Sequence, residues 1–134
     1  MIIIHDLAQA TAALATAERC ATPVVLRSPP DTSAAIGPGI FAEQTAEAAA
    51  RHPSGMAGAL FDCGDQAGLA LAAIRRGGMD VLIALPEASA DKIKNLANQA
   101  EVAVVENPDG PVLDLAAETD PAEAVRTFLE TLTS

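Results

Sequence analysis

Four side chains with usable chemistry each follow a short apolar run: His5 after "MIII", Arg27 after "PVVL", Asp62 after "ALF" and Glu87 after "VLIALP". A histidine at the end of a buried strand suits proton transfer near neutral pH. Asp62 would orient that histidine, hold a divalent ion, accept backbone amides or pair with Arg27. Arg27 is prominent because cations are scarce. With Gly37 and Gly39, at the start of a helical segment, it would hold an anion. His5 and Asp62 are therefore the catalytic candidates. Arg27, Gly37, Gly39, Asp65 and Glu87 are the ligand-binding candidates, and no metal site is assigned.

Each candidate also has a plainer explanation. A strand-end histidine often bonds only to backbone, and a loop rich in Gly and Pro needs them for its turns. Asp6 and Asp65 both stand where a helix start wants an oxygen acceptor. His52 falls at a helix C-terminus on the opposite rim, where it complements the helix dipole. Asp62 has no such ready explanation, because it lies three residues before Asp65 at the strand end. Cys63 would gain nucleophilicity from a helix N-terminus, but the flanking carboxylates oppose thiolate formation. Cys20 ends a helix and reads as packing.

Absences narrow the chemistry. The only lysines, Lys92 and Lys94, fall in a helix, which disfavours Schiff-base and pyridoxal chemistry. There is no G-x-S-x-G elbow, no Walker loop and no dinucleotide glycine pattern. His5 and His52 lack metal-ligand spacing, and so do Cys20 and Cys63. No cofactor follows from these residues.

The chain has 134 residues and a formal charge of -10, which disfavours nucleic acid and anionic membranes as partners. No apolar run reaches membrane-spanning length, and "MIII" is too short for a signal peptide. The expected compartment is the cytoplasm, with both cysteines as free thiols. There is no Trp or Tyr and little Phe, so the core must be built from small aliphatic side chains.

The elements that must position these residues alternate along the chain. "MIII", "PVVLR", "MAGALF", "VLIAL" and "VAVV" read as buried strands, and "PVLDL" as a short sixth. Between them lie amphipathic helices: "DLAQATAALATAERC", "IFAEQTAEAAARH", "DQAGLALAAIRR" and "ADKIKNLANQA". A last helix is "DPAEAVRTFLETL". Asp6, Ser89 and Asp120 are the expected caps of the first, fourth and last helices. Ile93, Leu96, Ala97 and Ala100 form the fourth helix's apolar stripe, and Ala122, Val125, Phe128, Leu129 and Leu132 that of the last.

This pattern predicts one α/β domain with a mostly parallel sheet of five to six strands flanked by helices. An open three-layer sandwich is the leading architecture and a partial (βα) barrel the alternative. "GLALAAIRRGGMDVLIAL" is similar to the helix-then-strand units of (βα) barrel proteins, although eight such units do not fit this length. "ENPDG" allows the sixth strand to fold back as an antiparallel hairpin.

Ligands of parallel sheets bind at the carboxyl ends of the strands, which gathers His5, Asp6, Arg27, Ser28, Asp62, Cys63, Asp65, Glu87, Glu106 and Asn107 on one rim. The expected function is binding of a small anionic ligand there, with or without catalysis. The alternative is a non-catalytic module that self-associates or binds a protein partner through its alanine-rich helices. The residues do not decide whether the chain is an enzyme.

Overall fold

The computed structural model describes residues 1–30 and 37–133. Residues 31–36, on which part of the expected Pro- and Gly-rich loop falls, lie outside the described residues. The strands are β1 (Ile2–Ile3), β2 (Val24–Arg27), β3 (Met56–Gly64), β4 (Asp80–Ile83), β5 (Val104–Val105) and β6 (Leu113–Asp114). The helices are α1 (Leu7–Arg19), α2 (Pro38–Arg51), α3 (Ala67–Arg76), α4 (Glu87–Gln99) and α5 (Pro121–Thr133). All the strand pairs are parallel, in the order β5-β4-β3-β2-β1-β6, and the chain folds as an α/β sandwich. Among the described residues no helix is long and apolar enough to cross a membrane.

From β1 to β5 each strand adds beside the last, always in the same direction. Right-handed crossovers repeated in one direction deliver every helix to the same face of the sheet. The helices accordingly touch in the row α5, α1, α2, α3, α4. They share one core with Ile2, Ile4, Leu26, Phe61, Cys63, Val81 and Ile83, which are alternate residues of β1 to β4 and their ends. Alanine makes this close approach possible: Ala10, Ala13, Ala17, Ala48, Ala70, Ala73 and Ala97 are all buried. Phe41 of α2 meets Phe61 of β3 in a tilted ring contact at 5.7 Å. Where α1 passes the turn Pro53–Gly55 the contact is tighter still. A Cβ on Gly55 would lie 2.2 Å from the Leu14 carbonyl oxygen, so that position needs glycine.

The sixth strand does not form the hairpin that "ENPDG" allowed. It lies parallel to β1, at the opposite edge from β5. The segment 106–112 must therefore cross the sheet. In a flat sheet the two edges would be about 24 Å apart, which is nearly the full reach of that segment, about 26 Å. It passes over the side away from the helices, where Pro108 and Asp109 share a concave space with Val25, Gly58 and Leu60. The face away from the helices thus becomes concave, with residues 106–112 as a strap, and Ile3, Leu60 and Leu82 on it are buried. This single-direction strand order is that of a partial barrel.

Local expectations met mixed outcomes. Asp6 caps α1 and accepts the Gln9 N–H at 2.8 Å, and Asp120 Oδ1 accepts the Glu123 N–H. Ser89 is no cap, because α4 begins two residues earlier, with Pro86 at its N-cap. Leu96 and Leu132 remain 41% and 46% exposed, so the stripes of α4 and α5 extend beyond what the chain itself covers. Cys20 is exposed rather than packed.

Candidate functional site

The carboxyl rim is shaped by a bulge in β3. Asp62 pairs with Leu82 and Gly64 with Ile83, so Cys63 is an extra residue in the register. Gly64 has φ +55°, a left-handed conformation that glycine adopts without a Cβ penalty. β3 therefore runs three residues past the expected "MAGALF" and carries Asp62 and Cys63 within it. Alternation turns Cys63 toward the helices and Asp62 toward the concave face.

On that face Asp62 is enclosed. Its Oδ1 accepts the Gly64 N–H at 3.0 Å, and its Oδ2 accepts from Arg27 Nη2 at 3.3 Å. Its own N–H donates to Ser28 Oγ at 2.7 Å, and Ser28 is itself buried. The side chains of Arg27 and Asp62 are only 13% and 7% exposed. Arg27 Nε is buried and has no hydrogen-bond partner among the described residues. A guanidinium carries five donors in a rigid fork, so this one remains under-satisfied among the described residues. Of the roles open to Asp62, pairing with Arg27 and accepting a backbone amide are the ones realised. Among the described residues no group of three His, Cys, Asp or Glu side chains is placed to hold a metal ion.

His5 is not oriented by Asp62. Register puts them two strands apart, about 10 Å. Its Nε2 instead meets Asp114 Oδ1, on β6, at 2.7 Å. Burial raises the Asp114 pKa, but the bonds from His5 and the Ala116 N–H outweigh it and hold the carboxyl below its ordinary value. Gln9 completes this corner: its Oε1 accepts the His5 N–H, and its Nε2 donates to the Leu115 carbonyl. The pair thus fastens the edge strand β6 to β1. The side chains of His5 and Asp114 are 32% and 47% exposed.

The remaining candidates are dispersed. Asp65 is exposed and does not cap α3, whose N-cap is Gln66. Glu87 is exposed in the first turn of α4. Gly37 is the N-cap of α2 and Gly39 lies in its first turn. Among the described residues, a Cβ on either would meet nothing within 4 Å. Glu106 pairs with Lys94. Cys63 is an unreactive core thiol: burial, then the Asp62 charge, push its pKa up to about 12. His52 closes α2 at its C-terminus and faces Glu18 at 3.5 Å.

The rim thus resolves into two pairs, Arg27–Asp62 in the interior of the concave face and His5–Asp114 at its edge. Gathering strand-end polar residues found three of these four and also Ser28. Asp114 escaped because the direction of "PVLDL" was open, so its end could not be assigned to a rim. The protein so defined is a curled, all-parallel α/β domain with a buried ion pair on its helix-free face. Comparison with protein-family models, characterised proteins and solved structures finds no match.

Proposed function

We propose that the chain is a binding domain for a small anionic ligand, recognised by Arg27 at the carboxyl ends of the strands. One observation carries this reading: Arg27 is largely enclosed, touches Asp62 through a single nitrogen and, among the described residues, leaves a buried Nε without an acceptor. A buried donor without a partner costs about 1–3 kcal/mol, so an incoming carboxylate or phosphate oxygen would relieve it. Arginine is well suited to that role, because its fork matches the planar spacing of such oxygens. Asp62 holds the fork in place, Ser28 accepts the Asp62 N–H beside it, and Gly37 and Gly39, at the start of α2, would lend backbone amides. His5 stands at the same rim, so proton transfer to a bound ligand is the catalytic extension of this reading.

The test is a thermal-shift titration with inorganic phosphate, sulfate and succinate, on wild type and on Arg27→Lys and Arg27→Met. Stabilisation of wild type that is lost in Arg27→Met and weakened in Arg27→Lys supports the proposal. Equal shifts in all three, or none with any anion, would refute it.

A second reading, self-association, draws on Leu96. It continues the apolar stripe of α4, the last helix of the row, yet is 41% exposed. Light scattering should show an oligomer that Leu96→Lys dissociates; a monomer at high concentration removes this reading.

A further inference from the structure

The curled sheet encloses a second feature, below the Arg27–Asp62 pair and independent of it. A cavity of about 270 Å³ lies between the concave face and the strap, lined by Val25, Gly58, Leu60, Asp80, Val105, Pro108 and Asp109, among others. At water's share of about 30 Å³ each, it has room for about nine non-hydrogen atoms. Its walls are mostly aliphatic, and Gly58, which shares the parity of Leu60 and Asp62 in β3, adds no side chain to that face.

We infer that this cavity binds a compact organic cation, a primary ammonium group on a short aliphatic body. The aliphatic walls take the body and the two carboxylates take the ammonium. Asp80 Oδ1 already accepts the Ala103 N–H at 3.1 Å, which fixes that carboxylate and leaves Oδ2 open among the described residues. Asp109 belongs to the strap and is exposed at the mouth. The amino group of Met1, which also lines the cavity, is held by the Pro111 carbonyl. Burial, then the charge of Arg27, hold its pKa below the ordinary value of a chain amino group.

Gly58 supplies the decisive variant. A Cβ there would meet only Val25 Cγ2, at an ordinary 3.8 Å, so a side chain fits the backbone and grows toward the cavity wall. The full chain would be titrated with n-butylammonium, n-butanol and butyrate while backbone amide signals are followed by NMR. The expected result is saturable shifts at Val25, Gly58, Leu60 and Val105 with butylammonium and markedly weaker ones with the other two. Asp109→Asn, an exposed change with no packing to disturb, should weaken binding about tenfold, the loss of one charge-assisted hydrogen bond. Gly58→Val should abolish binding with the fold retained. Equal response to butanol, full affinity in both variants, or no response at these amides would overturn the inference.

Discussion

Removing both members of the Arg27–Asp62 pair should cost clearly less than the two single removals added together. In Asp62→Asn the Oδ1 can still accept the Gly64 N–H, but the charge opposite Arg27 is gone. The guanidinium, only 13% exposed, is then an uncompensated buried cation. Breaking a buried pair in this way costs about 3–5 kcal/mol. The single contact at 3.3 Å is not the bidentate geometry of a strong pair, which places the expected loss near the lower end, about 3 kcal/mol. With a urea slope of about 2 kcal/mol/M, that loss lowers the unfolding midpoint by about 1.5 M. Arg27→Met leaves Asp62 as the unpaired charge, with the Gly64 amide still bonded to it, and should cost about 2 kcal/mol. The double variant buries no charge, so its loss should fall short of the sum by at least about 1.5 kcal/mol. Urea unfolding followed by far-ultraviolet circular dichroism measures all four proteins. If the two single losses are each below about 0.5 kcal/mol and simply add, the pair is solvated, and with it goes the argument that Arg27 has unmet hydrogen-bonding capacity.

The two cysteines should react at very different rates. The exposed Cys20 should be labelled at once by a disulfide reagent at pH 8, whereas Cys63, with its pKa pushed up to about 12, should wait for unfolding; prompt labelling of two thiols in the native protein would contradict the core placement. Gly55→Ala should destabilise by about 3 kcal/mol or more, because its Cβ meets the Leu14 backbone at 2.2 Å, and an unchanged melting temperature would be inconsistent with that approach. Ala21, with φ +53°, sits in the left-handed region just past α1, so Ala21→Gly should raise stability by about 1 kcal/mol in the same urea assay. The depressed pKa of Asp114 predicts a stabilisation present above the ordinary carboxylate range and lost as pH falls through the lowered value. Asp114→Asn should therefore be less stable than wild type at pH 6 and converge with it near pH 2; a gap that widens toward acid would give the shift the wrong sign.

Much of the fold was legible because it rests on local rules. Continuous apolar runs mark strands buried on both faces, and Asp6 and Asp120 mark helix starts through the bonds they actually make. What local rules miss are distances set by strand order. Ser89 resembles a cap as well as Asp120 does. Yet Glu87 and Ala88 continue the helix back to Pro86, and a proline is tolerated at a helix start. Leu96 fits the helical period, but α4 ends the row beside α3, so the period alone overstates its burial.

The candidate site shows the same division. Arg27 and Asp62 end neighbouring strands, and alternation puts both on the face opposite Leu26, Phe61 and Cys63. Their meeting follows from that parity once β2 is known to pair with β3, which successive crossovers in one direction guarantee. His5 has the same parity and rim, so the same rule sends it to the concave face as well. Its partner, however, depends on which strand fills the far side of β1. The chain closes that side with β6, drawn across the sheet by the strap, and Asp114 arrives there in register with Ile3. One topological event therefore takes His5 from the interior pair, buries the face carrying Arg27 and creates the space beneath Pro108. A variant that detaches β6, such as Asp114→Asn with Gln9→Ala, should expose all three changes together: displaced His5 ring signals by NMR, faster amide exchange along β1 and loss of the strap cavity's signals. If β1 stays protected when both anchors are gone, the strap rather than the His5–Asp114 corner holds the curl, and the two pairs are energetically separate.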